Sequence, residues 1–462
     1  MVALQALFDL PTRLLNAFIL QEASQDDNLD DEEVELPTPA LKTSKATDYN
    51  DIVVDITEEQ PGDDHRKARR NLAAKNRRKK RRAEAKQGPL AYHNPREHPR
   101  HKSGSKAQYV DFNTGDIPVV QTGYTALDRG LGSRRVYKLA ELVGEKSKFK
   151  FTLVKAQSYA HLLLSLELEL KNMNLRASIP IIDSENHIIG VIANHPKDES
   201  WAELQKQAAD ALERNRSGCH VPPKERTHRR GKFTTLRAGV SHGGGQRAPG
   251  NLKNQKGNAK ILEELNSLEP FKRFAGFASS VMHTWFKDLY NYYASTLDKL
   301  HTEYPLLQRI FPQSIFSAVS YNLGPCTACF PHKDFANLAF GMCAITALGD
   351  FDHTKGGHLI LWELKLVIEF PAGCTILIPS ALLTHSNVPV SKHERRYSFA
   401  QYTAGGIFRW VENGFKSREE YLSTLSKAQL EEDVEKNTNR WKFGLSLLSD
   451  VLKNNHMNEG VL

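Results

Sequence analysis

Residues 339–378 read AFGMCAITALGDFDHTKGGHLILWELKLVIEFPAGCTILI, and the punctuation of this stretch decides the fold. Short runs rich in Ile, Leu, Val and Thr are separated by Gly-Asp, Gly-Gly and Pro-Ala-Gly breaks, the chemistry of strands joined by tight turns. Reading outward, strands are expected at Ser314–Tyr321, Ala339–Leu348, His358–Trp362, Leu366–Phe370, Thr375–Ile378 and Tyr397–Tyr402. So many short strands in succession predict a sandwich or barrel. Upstream of Pro312 the period changes. Phe274, Phe277, Ala278, Val281, Trp285, Leu289, Tyr292 and Leu300 form one apolar stripe, which predicts a long helix from Phe271 to Leu300. Helices that precede the strands rather than alternate with them argue against a doubly wound parallel sheet and for an α+β fold.

Further upstream, SIPIIDSENHIIGVIANHP (178–196) reads as two apolar strands joined by a polar turn. Ser200-Trp-Ala-Glu203 has the pattern of a capping box, and Trp201, Leu204, Ala208, Ala211 and Leu212 follow at helical spacing. Residues 214–260 are rich in Gly, Arg and Lys, with SHGGGQRAPGN (241–251) expected as a flexible loop.

The chain has 462 residues, of which 40% are hydrophobic and 25% charged, so wholesale disorder is excluded. It contains no run of apolar residues long enough to span a membrane as a helix. Five cysteines, an odd and sparse set, argue against a disulfide scaffold and for a reducing compartment. Asp9 and Arg13 interrupt the apolar first twenty residues, so no secretory signal is expected. The net charge of +8 is unevenly spread: residues 1–64 hold sixteen Asp/Glu against Arg13, Lys42 and Lys45, a net of −13. The block RKARRNLAAKNRRKKRRAEAK (66–86) then carries twelve Lys/Arg against Glu84. Gly88, Pro89 and Pro95 follow where a leucine heptad would be needed, so the block is no zipper basic region. A nuclear-import signal or a phosphate-binding arm is expected, against the plainer reading of a solvated charged helix. The organisation predicted is an acidic disordered region (1–64), a basic arm (65–106), an α/β part (107–224), a β-rich core with its long helix (225–415) and a helical extension (416–462).

Within the β-rich region four features converge. His332-Lys333-Asp334 places an imidazole and a carboxylate two residues apart, on one side of an extended chain. His385 follows the run CTILIPS, 53 residues downstream. Two histidines and a carboxylate make the facial triad that binds non-haem Fe(II) and leaves positions open. Arg396 and Ser398 lie eleven and thirteen residues past His385 on one strand face, and a guanidinium beside a hydroxyl suits a carboxylate such as the distal one of 2-oxoglutarate. The turn Phe370-Pro-Ala-Gly-Cys-Thr375 leads the chain toward His385. Arg395 competes with Arg396, but only Arg396 shares strand parity with Ser398. His358 and His393 compete as the distal ligand, but neither has an Arg-x-Ser at a useful distance. Cys326-Thr-Ala-Cys329 offers half of a zinc site or a pair of buried free thiols.

The order His-x-Asp, distal His, Arg-x-Ser resembles that of the double-stranded β-helix (jelly-roll) dioxygenases that use Fe(II) and 2-oxoglutarate. The string His332-Lys-Asp334-Phe-Ala-Asn337 is similar to the metal motif of the TET/JBP-type DNA 5-methylpyrimidine dioxygenases, and RYSFAQYTAGGIFRWVENGF (396–415) resembles their fungal, transposon-associated branch. The resemblance spans residues 107–415, with specific motifs in 321–415. It implies iron on His332, Asp334 and His385, 2-oxoglutarate on Arg396 and Ser398, a base contact from Asn337, and stacking of a flipped methylated base on Tyr402. On spacing alone, Asn337 also suits a turn and Tyr402 a barrel wall. Two departures stand out: Ala404 occupies the position where some relatives carry a base-contacting His, and Phe330 the position of a zinc ligand in animal members.

The activity implied is oxidation of the methyl group of 5-methylcytosine, or another 5-methylpyrimidine, in DNA, in the nucleus. A base inside a duplex is out of reach and must be flipped, with Lys224, Arg226, Arg229, Arg230, Lys232, Arg237 and Arg247 expected on phosphates. The alternatives are an oxygenase of the same chemistry acting on protein or RNA, and an inactive nucleic-acid-binding protein. Intact His332, Asp334, His385 and Arg396 speak against inactivity.

Overall fold

The computed structural model describes residues 34–35, 107–127, 133–156, 178–196, 198–222 and 226–449. The basic block 66–86, and the acidic region apart from Val34–Glu35, lie outside the described residues. The strands are β1 (Val34–Glu35), β2 (Gln108–Tyr109), β3 (Thr152–Val154), β4 (Ile179–Ile182), β5 (Ile188–Ala193), β6 (Thr234–Ser241), β7 (Gly250–Leu252), β8 (Ala318–Leu323), β9 (Cys343–Asp350), β10 (Leu359–Leu361), β11 (Leu366–Ile368), β12 (Thr375–Ile378), β13 (His385–Asn387) and β14 (Arg395–Tyr402). The helices are α1 (Leu139–Leu142), α2 (Trp201–Arg216), α3 (Lys256–Ser267), α4 (Glu269–Trp285), α5 (Lys287–Glu303), α6 (Gly405–Glu412), α7 (Arg418–Ser423) and α8 (Lys427–Ser446). None of the described helices is long and apolar enough to cross a membrane.

The strands form two sheets. The larger has the order β1-β7-β6-β8-β14-β9-β12-β5-β4-β2, the smaller β13-β10-β11-β3. Alternation fixes the faces of the small sheet. Leu359, Leu361, Leu366 and Ile368 join the main apolar cluster with the large sheet's Ala344, Leu377 and Phe399. Ile360 and Val367 point the other way, against Leu142, Phe151 and Val388. β14 is held on both edges, with Ser398 opposite Asn322 of β8 and Ala347 of β9.

Several expectations need correction. The single helix expected over Phe271–Leu300 is two, broken at Phe286 (φ −136°, ψ 56°). Its buried ring belongs to the core, and its backbone closes α4 through Met282 and opens α5 through Tyr290. Ser200 makes no capping box. It already has helical angles, and its hydroxyl donates to Asp198 Oδ1 at 2.7 Å. The Gly-, Arg- and Lys-rich stretch 214–260 contains β6, whose Leu236, Ala238 and Val240 alternate inward along β8, and β7, which begins within the expected loop at Gly250. Arg237 and Gly239 mask that alternation in the sequence. The strand expected from Ser314 starts at Ala318, because Ser314 Oγ donates to Gln401 Oε1 (2.8 Å) and the Ser317 amide to Thr403 Oγ1 (3.1 Å) instead of to a ladder.

Candidate metal centre

His332 lies in the connection between β8 and β9 rather than in a regular strand. An isolated bridge holds it there: its amide donates to the His385 carbonyl (3.1 Å), and the His385 amide returns the bond (2.9 Å). His385 opens β13 opposite Leu361, and directly opposed residues share a face, so its ring turns toward the interior as Leu361 does. Asp334 follows two residues after His332, its amide donating to the Ser380 carbonyl (2.9 Å).

These three side chains meet. His332 Nε2 lies 3.8 Å from Asp334 Oδ1, and His385 Nε2 3.7 Å from Oδ2. One ligand atom from each falls within 4.8 Å of the others, and they are the one such group of His, Cys, Asp or Glu among the described residues. Each ring is oriented in the same way. His332 Nδ1 meets the Phe330 carbonyl at 2.8 Å and His385 Nδ1 the Leu383 carbonyl at 3.0 Å. A proton on Nδ1 leaves the Nε2 lone pair for a cation. Burial, together with His385, holds the His332 imidazole well below its ordinary pKa and therefore neutral. Burial would raise the Asp334 carboxyl, but His332, His385, Arg230 and Arg229 outweigh it and keep it well below the carboxylate range. Two imidazoles and a carboxylate fit a divalent transition ion such as Fe(II).

Arg229 and Arg230, expected on phosphates, stand at the Asp334 carboxylate. Their guanidinium nitrogens lie 3.9 and 4.0 Å from Asp334 Oδ1, and Arg229 Nη1 donates to the Lys333 carbonyl at 2.8 Å. The only signal of this in the sequence is their place just ahead of β6.

The cavity over the triad also reaches Arg396, Ser398, Asn337 and Tyr402. Strand parity separates the two arginines of β14. Arg396 is 1% exposed and faces the cavity, whereas Arg395 is exposed, 3.9 Å from Asp210. Arg396 Nη1 donates to the Thr327 carbonyl (2.9 Å), while its Nε and the Thr327 hydroxyl are buried without a partner. Burial lowers its pKa to about 10, which still leaves it cationic at neutral pH. A Cβ on Gly357 would approach Arg396 Nε to 3.3 Å, so glycine keeps this cradle open. A buried guanidinium with an unused N–H fits a carboxylate group. Ser398 Oγ accepts from Asn322 Nδ2 at 2.8 Å. His358, set aside as a metal ligand, is fully buried with both ring nitrogens unpartnered, and burial followed by His353 lowers its pKa to about 4.

Asn337 lies where Asp334 turns back. Its amide donates to the Asp334 carbonyl (2.9 Å), its side chain to Ser380 Oγ (3.1 Å), and its backbone bridges Ala404. Tyr402, half-buried at the end of β14, lines the same cavity. Of the Cys-x-x-Cys pair, Cys326 is exposed rather than buried and donates to the Glu394 carbonyl (3.4 Å), because it precedes the inward turn. Cys329 lines the cavity, with burial pushing its thiol up to about 11. Neither joins a metal cluster among the described residues.

No protein-family description and no curated protein matches the sequence. Three solved structures are similar in part. NgTET1 in complex with 5mC DNA shares 14% identity at a TM-score of 0.37, over 50% of this chain and 78% of that one. A 2OG-Fe(II) oxygenase-family oxidoreductase from Burkholderia pseudomallei shares 18% identity at a TM-score of 0.26, over 44% and 78%. The viral collagen prolyl hydroxylase vCPH from Paramecium Bursaria Chlorella virus-1, solved with 2OG, shares 18% identity at a TM-score of 0.16, over 19% and 58%.

Proposed function

We propose that the protein is an Fe(II)- and 2-oxoglutarate-dependent dioxygenase, built on a double-stranded β-helix, that oxidises the methyl group of 5-methylcytosine or another 5-methylpyrimidine in DNA. One observation carries the reading: His332, Asp334 and His385 converge within 4.8 Å in a cavity that also receives the buried guanidinium of Arg396. Fe(II), 2-oxoglutarate and dioxygen together supply the oxidising power that hydroxylates a methyl group as the keto acid leaves as succinate and CO2. The chain's part is to bind and orient. His332, Asp334 and His385 hold the iron, and the Nδ1 bonds to carbonyls fix the two rings. Arg396 receives the distal carboxylate of the keto acid, and the Ser398 hydroxyl stands beside it.

For the methyl group to arrive, the nucleotide leaves the duplex. Tyr402 then offers a ring to stack on and Asn337 an amide to hydrogen-bond. The twelve cations of residues 66–86 suit sequence-independent phosphate binding and nuclear import. The test is mass spectrometry of nucleosides after incubating the full chain with methylated DNA, Fe(II) and 2-oxoglutarate. Oxidised 5-methylpyrimidine that requires both cofactors is the expected product. Its absence, with succinate formed only in the presence of a protein or RNA substrate, would overturn the reading.

A further inference from the structure

The turn between β10 and β11, Trp362-Glu363-Leu364-Lys365, touches both of the chain segments that carry the triad. Its shape is set locally: the Lys365 amide donates to the Trp362 carbonyl (3.1 Å), and Lys365 takes a left-handed φ of 52°. The Trp362 ring anchors the turn to the fold. It lies edge-on to Tyr137, Phe149 and Phe151, with centroids 4.7, 5.3 and 5.6 Å away.

Toward β13 the turn grips the two residues that flank His385. The Trp362 amide donates to the Thr384 carbonyl (3.0 Å), and the Trp362 indole to Ser386 Oγ (2.9 Å). Glu363 takes two further bonds from Thr384, the amide to Oε2 (2.8 Å) and the hydroxyl to Oε1 (2.7 Å). Toward the other two ligands, Glu363 Oε1 lies 3.5 Å from Nζ of Lys333, the residue between His332 and Asp334. Lys333 is 6% exposed, and a lysine is rarely so buried without an opposite charge beside it.

The Thr384 amide carries the most weight, because it belongs to the same peptide group as the Leu383 carbonyl. That carbonyl is the one His385 Nδ1 meets at 3.0 Å. A planar peptide cannot turn its carbonyl without turning its N–H. A carboxylate that holds the N–H therefore fixes the carbonyl that orients the ring, and its charge polarises the peptide toward a stronger acceptor. Metal-binding histidines are commonly held by a carboxylate at the ring nitrogen facing away from the ion. In this chain the carboxylate acts one peptide removed.

We infer that Glu363 is a positioning residue of the metal centre: one carboxylate that locks the His385 ring through the Leu383–Thr384 peptide and ties it, through Lys333, to the segment bearing His332 and Asp334. Glu363 does not line the cavity, so it acts through the ligands and not on a substrate. The inference rests on the metal site of the function proposed above and adds the residue that sets the grip on the ion.

The experiment titrates the full chain with Co(II), which takes the same nitrogen and oxygen ligands as Fe(II). It reads Kd by calorimetry, the ligand-field absorption of the bound ion, and Tm without metal. Glu363→Ala raises Kd at least tenfold, the loss typical when a partner of a ligating histidine is removed, and shifts the absorption as the His385 ring reorients. Glu363→Gln keeps the side chain's size without its charge; it serves where the alanine variant fails to fold, and its Kd also rises. Glu369→Ala is the control. It removes a carboxylate just past β11 that accepts from the Ala156 amide (2.9 Å), and it leaves Kd and absorption as in the wild type whatever it does to Tm. Wild-type Kd and absorption in both Glu363 variants, or an equal loss of affinity in Glu369→Ala, overturns the inference while the proposed function stands. A wild-type chain that binds neither Co(II) nor Fe(II) overturns that function, and this inference with it.

Discussion

Arg396→Lys separates an anchor made of a planar fork from one made of charge alone. In the fold Arg396 is 1% exposed, its backbone paired with Gly349 of β9 and bridged to Cys326, with Nη1 on the Thr327 carbonyl and Nε buried without a partner. Lysine keeps the charge but cannot hold Thr327 and a bidentate carboxylate together. A hydrogen bond to a charged group contributes about 1.5–3 kcal/mol. Losing one should therefore raise the 2-oxoglutarate concentration needed for half-maximal turnover by roughly 10- to 100-fold. The assay is succinate formation against 2-oxoglutarate concentration at saturating DNA and Fe(II), with calorimetric titration of the keto acid as a second measure. Arg395→Lys is the control, because that exposed side chain faces Asp210 at 3.9 Å and such surface pairs contribute little. A larger effect from Arg395→Lys, or no effect from Arg396→Lys, would refute the placement of the co-substrate in this cradle.

Asp334→Ala should abolish stoichiometric Fe(II) binding while leaving the circular-dichroism spectrum unchanged; unchanged iron content would remove Asp334 from the site. Glu412 accepts from Tyr292 (2.6 Å), Arg440 (2.7 Å) and Tyr124 (3.0 Å), so Glu412→Ala strands the buried Arg440. It should cost about 3 kcal/mol in urea denaturation, and a loss near zero would show that the cluster contributes nothing. His242 and His358, with pKa values lowered by burial to about 3 and about 4 from 6.5, stay neutral in the fold while the unfolded chain takes protons. Stability should thus be fully present above pH 6.5 and fall toward pH 4 by about 1.4 kcal/mol per pH unit for each. Thermal melts across this range should show the slope, and His358→Leu should make it shallower. Deleting residues 1–106 should weaken DNA binding and flatten its salt dependence without changing methyl selectivity. Affinity across a salt series tests this, and loss of oxidation at saturating DNA would place the arm in the active site.

Side chains of the site were legible where chemistry and spacing coincide. The pair His332 and Asp334 and the parity of Arg396 with Ser398 depend on short sequence separations, the distal His385 on the apolar run before it and the Arg-x-Ser after it, and the fold brings them to one cavity. Backbone detail was less legible, because neighbours distant in sequence decide it. Gln401 and Thr403 delay β8, a buried Phe286 splits a continuous apolar stripe, and the ladder with β8 makes a strand of a segment whose Arg and Gly look like loop. Arg229 and Arg230 read as two cations among many until the fold sets them beside a carboxylate.

The reciprocal backbone bonds between His332 and His385, and the carbonyls that orient both rings, belong to the protein and not to any ion. Two side chains 53 residues apart in sequence are thus tied to each other through the main chain, so a substitution that disturbs the backbone at either one displaces both rings together.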